Sequence, residues 1–195
     1  GALSMYVHYV AIGSKLRETF EGEASAKLVC MNNAFAHVRD LRDIVEGVKT
    51  ILASDGVFVF EVADLMRTLA DGTWDMTYHE HAFCHALRPL GQLLISEGLA
   101  IFRVDEVPVH GGSIRVWAQP YGGPRPQHAS VLVRNAAERA AGLDRDGPYV
   151  AFAARAVEVR DTLTRVVREF RAAGKRVAGY GAPAKATVVV NWCGF

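Results

Sequence analysis

Two short apolar runs, Leu28-Val29-Cys30-Met31 and Val57-Phe58-Val59-Phe60, are separated by one long amphipathic stretch, and this arrangement restricts the fold more than any other feature. From Val38 onward, Leu41, Ile44, Val45, Val48, Ile51 and Leu52 recur at three- and four-residue spacing, the stripe of a helix with one buried face. Ser54-Asp55-Gly56 reads as a turn. Continuously apolar strands joined by such a helix are what a parallel sheet covered by helices requires, so the spacing predicts an α/β fold. The connection is long enough for a right-handed crossover.

The pattern continues with a helical candidate carrying Leu65, Met66 and Leu69, and a second carrying Leu87, Leu90, Leu94 and Leu99 and ending near Gly98. Alternation returns in Ile101 and Val104, then in Ile114, Val116 and Ala118, with Arg115 and Trp117 on the other face. These read as the last strands of the same sheet, with an antiparallel direction open to them and Gly111-Gly112 as the tight connection. Tyr121-Gly122-Gly123-Pro124-Arg125-Pro126 is too rich in Gly and Pro to lie inside an element, and it divides the chain into 1–120 and 121–195. Beyond it, Phe152, Ala156, Val159, Leu163, Val166 and Phe170 mark one long helix ending near Ala173-Gly174. Val177-Ala178-Gly179-Tyr180 is expected to start a new strand, and Gly181–Lys185 a tight loop, the opening of a second α/β unit. A Gly-rich turn and a later acidic residue for a nucleotide ribose are not found before Leu28: Gly13 is isolated and Gly22 lies between glutamates. The expectation is a piece of something longer.

Charge and cysteine usage narrow the function. A formal net charge of +1 gives no electrostatic case for nucleic acid or an anionic membrane surface. Three separated cysteines make neither a disulfide framework nor a zinc knot. No run approaches the roughly 20 apolar residues needed to span a bilayer, and the first ten residues lack the form of a secretory signal. The expected location is the cytoplasm.

Tyr78-His79-Glu80-His81 is the densest ionisable cluster. In an extended segment His79 and His81 share a face, and with Glu80 or His85 they could hold a metal, although the spacing is not that of HExxH. The cluster could also be structural. It also suits acid–base chemistry: a histidine aimed by a second group takes a proton from carbon beside a carbonyl, a neighbouring carboxylate such as Glu80 can fix its tautomer, and Tyr78 can donate to the developing enolate oxygen. Asn32-Asn33 and His37 follow a sheet strand at its carboxyl end, where open α/β sheets place ligands, and the asparagines serve equally as a helix cap. Glu61 ends the Val57–Phe60 run on the same edge. His110-Gly111-Gly112-Ser113 permits close backbone approach to a ligand or builds a hairpin. Gly179–Lys185 can turn amide groups toward an anion, with Lys185 to neutralise phosphate, or be a plain strand-to-helix turn.

Taken in order, Met31–Val38, Val57–Val62, Tyr78–His81, Leu87–Leu90, Val109–Val116, Gly179–Lys185 and Asn191–Gly194 resemble the sugar C-methyltransferases that build branched deoxysugars. The resemblance implies a partial class I methyltransferase (Rossmann-like) domain followed by the start of a second Rossmann-like domain. It implies S-adenosyl-L-methionine as cofactor and a nucleotide-linked 4-keto-6-deoxy sugar, methylated at C3 through an enolate, as substrate and partner. It makes His81 the base, with Tyr78, Glu80 and His37 lining the reaction centre and Asn33 and Ala34 beside the methyl donor. Gly111, Gly112, Ser113, Tyr180 and Lys185 would shape the substrate cleft. No metal is expected at this centre; the family's zinc belongs to an N-terminal cysteine cluster with no counterpart in this sequence. Two other readings fit the same residues: an O- or N-methyltransferase of small molecules, and a fragment without catalytic activity.

Overall fold

The computed structural model describes residues 18–19, 26–78 and 80–195. Gly13, Gly22 and His79 therefore lie outside the described residues. The predicted crossover is present as β1 (Ala26–Asn32), α1 (Leu41–Ile51) and β2 (Leu52–Ala63), with β1 and β2 parallel. Asp40 caps α1, its carboxylate accepting from the Asp43 amide at 3.1 Å. Ile44, Val45 and Val48 are fully buried, so the apolar stripe does bury one face of α1 against the sheet.

Helix α2 (Leu65–Asp71) and a short 3-10 turn (Trp74–Met76) follow, then α3 (Leu87–Ser96), β3 (Leu99–Val107) and β4 (Ser113–Pro120). The four-stranded sheet has the order β1-β2-β4-β3. Strand β4 runs antiparallel to both neighbours, so the late strands join the sheet as expected, with one reversed. The result is a mixed sheet flanked by helices, an α/β arrangement. Its core gathers Phe35, Phe58, Phe60, Val62, Leu87, Leu94 and Ile114, and Phe35 stacks on Phe60 at 4.8 Å.

Three expectations are corrected. Strand β1 is not buried on both sides: Leu28 is 59% exposed and Cys30 is exposed, because among the described residues β1 is an edge strand with only β2 beside it. Ser54-Asp55-Gly56 does not separate helix from strand. It forms a bulge inside β2, where the register moves from Ala26↔Leu52 to Leu28↔Val57 and leaves Ser54 and Asp55 exposed. Val177–Tyr180 forms no strand, and Tyr180 is fully exposed: an extended run becomes a strand only when a neighbour takes its hydrogen bonds, and no described strand does so.

After the Gly/Pro break the chain returns to the sheet. Helix α4 (Ala129–Ala140) packs on β3 and α3, α5 (Gly147–Ala172) touches α2, and α6 (Ala184–Cys193) packs on α5 and on the Trp74–Met76 turn. Arg160 lies over the Trp192 ring at 5.0 Å, joining α5 to α6. No described helix is long and apolar enough to cross a membrane.

Candidate active site

The carboxyl ends of β1 and β2 carry the site. Asn33 leaves β1 in the left-handed region, φ 51°, and its amide donates to the Glu61 carbonyl at 3.0 Å. That conformation is tolerated by asparagine better than by most side chains, and it turns the chain sharply across the strand ends. Ala34 follows, its carbonyl accepting from the His37 amide at 3.0 Å to close the 3-10 turn Phe35–His37. Phe35 points into the core and is fully buried, which leaves His37 on the outer side. The Glu61 carboxylate is buried and paired with Arg115, at 2.7 Å from Nε and 2.5 Å from Nη2. The cost of a carboxylate on this strand end is thereby offset.

Tyr78, Glu80 and His81 come to the same place by a turn rather than an extended segment. The His81 amide donates to the Tyr78 carbonyl at 2.9 Å, and the Tyr78 and His81 rings lie 4.0 Å apart. The Ala82 amide donates to the Ala36 carbonyl at 3.0 Å, and His37 Nδ1 donates to the Glu80 carbonyl at 2.9 Å. These two bonds stitch the loop to the Phe35–His37 turn and bring the His37 and His81 rings to 4.9 Å.

The orienting group of His81 is not the Glu80 carboxylate considered from sequence. Its Nδ1 lies 2.8 Å from the Met76 carbonyl. A carbonyl only accepts, so Nδ1 carries the proton and Nε2 of the neutral ring holds the free lone pair. Burial depresses the His81 pKa below the ordinary imidazole value; the Met76 hydrogen bond opposes it, and His37 and Lys185 add to it while Glu80 counters them. Burial, then the charge of Glu80, raises the Tyr78 phenol pKa, so it remains a hydrogen-bond donor at neutral pH.

Lys185, from the first turn of α6, reaches the edge of this cluster through Asp75, Nζ to Oδ2 3.8 Å. The glycine stretch plays a different part. The Gly112 carbonyl accepts from the Asp64 amide at 3.1 Å, and the Arg67 side chain covers Gly112 so closely that a Cβ would lie 2.8 Å from its Cγ. Gly111 has open space beside it, while Ser113 is buried with its hydroxyl donating to the Val109 carbonyl at 3.0 Å. Tyr180 stands free in solvent, away from any packed surface.

His85 does not converge with the other histidines as a ligand. It is 5% exposed, with Phe35 at 5.6 Å and Phe83 at 6.2 Å, and its Nε2 has no hydrogen-bond partner. Among the described residues no three His, Cys, Asp or Glu side chains are grouped to hold a metal. The groups that sequence reasoning missed are Met76 and Asp75. The first acts through a backbone carbonyl, which no side-chain pattern announces, and the second lies 110 residues from its partner.

Residues 108–195 match the family described as the C-methyltransferase C-terminal domain. The C-methyltransferase NovU of Streptomyces niveus is 38% identical over 169 residues, a span that covers 87% of this chain and 40% of that protein. Partial structural likeness extends to a 1,6-didemethyltoxoflavin-N1-methyltransferase of Burkholderia thailandensis: TM-score 0.39, 17% identity, 52% of this chain and 47% of that one. An O-methyltransferase family protein of the same organism overlaps at TM-score 0.40 and 16% identity, over 57% of this chain and 34% of that one. The sheet topology stands on its own strand pairing. The chain is thus similar to the C-methyltransferases over residues 108–195 and beyond, and it spans about 40% of the length of the curated relative it matches.

Proposed function

We propose that the complete protein transfers a methyl group from S-adenosylmethionine to C3 of a nucleotide-linked 4-keto-6-deoxy sugar in the cytoplasm. In this reading the described residues supply the enolisation centre. Carbon is a poor nucleophile until the proton beside the ketone is removed, so the chemistry needs a base and a group that receives the enolate charge. His81 is the base: Nδ1–H is held by the Met76 carbonyl, and Nε2 is left to accept the C3 proton. This fixed tautomer is the observation that carries the reading.

Tyr78, beside His81 and kept protonated, donates to the developing oxyanion. Glu80 holds the loop through its carbonyl, and its carboxylate favours the imidazolium that forms. His37 lies beside His81, ring to ring at 4.9 Å, and limits how far the ring can swing. Asn33 and Ala34 fit one wall of a donor pocket, since the left-handed turn presents backbone at the strand ends next to His37. When bound there, the sulfonium donor supplies an already activated methyl group, so the protein's task is alignment. Gly111, Gly112, Ser113, Tyr180 and Lys185 are assigned to the substrate side of the cleft, and residues 121–195 to the linker and opening of a second Rossmann-like domain.

The test is deuterium exchange at C3 of the keto sugar by the complete protein. His81→Ala is expected to lower both exchange and methylation by roughly 10²–10⁴-fold. Full exchange in that variant would remove His81 as the base. An O- or N-methyl product would replace the enolate route by the alternative acceptor chemistry.

A further inference from the structure

The aim of His81 depends on the carbonyl of Met76, and that carbonyl sits in a weakly supported piece of chain. The Trp74–Met76 turn contains no buried residue. Its own bonds are short-range: Trp74 amide to Gly72 carbonyl at 2.9 Å, Met76 amide to Thr73 carbonyl at 3.2 Å, Thr77 amide to Trp74 carbonyl at 3.1 Å. A single 3-10 turn of this kind has poor hydrogen-bond geometry and little to hold it against neighbouring conformations. Support comes from elsewhere. Helix α6 packs against the turn, and Lys185 pairs with Asp75, the residue before Met76.

We propose that the Asp75–Lys185 ion pair is a latch that holds the Trp74–Met76 turn in place, making Lys185 a positioning residue for His81. The sequence motif around Lys185 then has a use beyond anion neutralisation: the C-terminal segment docks on the one turn that fixes the tautomer of the base. The inference rests on the reading of His81 as the base. An ion pair 3.8 Å long, with side chains 43% and 33% exposed, contributes little to global stability. It can still select among conformations of a three-residue turn, whose alternatives are close in energy. The Lys185 charge also depresses the basicity of His81, after burial and His37.

The test reads the His81 tautomer directly, by nitrogen chemical shifts of this chain labelled at histidine, without substrate or donor. In the unaltered chain His81 is expected as the Nδ1–H form. Lys185→Gln and Asp75→Asn should each convert it to a mixture of tautomers. The double variant should go no further than either single change, because both break the same contact. Lys185→Arg, which keeps the charge and reach, should retain the Nδ1–H form. A tautomer unchanged in both single variants, or two effects that add fully in the double variant, would overturn the latch. Unaltered aromatic shifts of Phe35 and Phe60 confirm that the core is intact in each variant. A failure of C3 exchange with the keto sugar would count against the proposed reaction and leave this measurement standing.

Discussion

Arg134 donates to Asp64 through both Nη1, at 2.9 Å, and Nη2, closing a bidentate pair in which both residues are buried. The same guanidinium reaches Glu138 through Nε at 3.0 Å. Each carboxylate also caps a helix: Asp64 accepts from the Met66 amide at 2.9 Å, and Glu138 from the Leu87 amide at 2.8 Å. One arginine on α4 therefore neutralises the N-terminal caps of α2 and α3, the two helices on either side of the Tyr78–His81 loop. Arg134→Met leaves two buried carboxylates without their cation. A buried pair broken on one side costs about 3–5 kcal/mol, so denaturant unfolding should show a loss of that size. A loss below about 1 kcal/mol would mean that water reaches both carboxylates.

Gly112 is expected to be structural. Its φ of 115° is one that side chains rarely adopt, and Arg67 occupies the space a Cβ would need. Gly112→Ala should destabilise by about 1–3 kcal/mol. Gly111→Ala should lose less, because only the φ of 84° opposes it and nothing stands within 4 Å. Equal losses in thermal unfolding would refute the role assigned to Arg67.

The contrast between α1 and α4 explains what could be read in advance. Ile44, Val45 and Val48 are apolar at helical spacing, so their burial was legible. Helix α4 buries Arg134 and Glu138 beside Val131, and a charged inward face gives no apolar period. Strand β2 was legible because its apolar run is the centre of the sheet; β1 has a similar run, but burial of an edge depends on a neighbour that local sequence does not name. At the site, the residue types Tyr78, Glu80, His81 and His37 were visible as chemistry. Their arrangement was not, because a backbone carbonyl of Met76 and a turn bond between Tyr78 and His81 set it.

For His81, the pH dependence of C3 exchange should report a base weaker than free imidazole. Burial lowers its pKa from 6.5, so the acid limb of the exchange rate should lie below pH 6.5, with activity full above it and falling as the ring is protonated. The charge of Glu80 raises that pKa, so Glu80→Gln should move the limb to still lower pH. A limb that moves upward would show that the Glu80 carboxylate does not act on the imidazolium.

His85 offers a prediction about the fold itself. Burial, then the charge of His81, lowers its pKa from 6.5 to about 4. The unfolded chain takes up a proton near pH 6.5, whereas the folded chain resists until about pH 4, so acid favours unfolding across that interval. Stability linked to this ring is complete above pH 6.5, declines as pH falls, and is spent below about pH 4; the span corresponds to about 3 kcal/mol. His85→Phe removes the titrating group and the unpartnered Nε2 while keeping an aromatic ring between Phe35 and Phe83. The variant should gain on the unaltered chain steadily between pH 6.5 and pH 4 in urea unfolding. Parallel stability curves over that interval would show that the buried ring is already hydrated or paired, and that the acid sensitivity of the fold lies in its carboxylates.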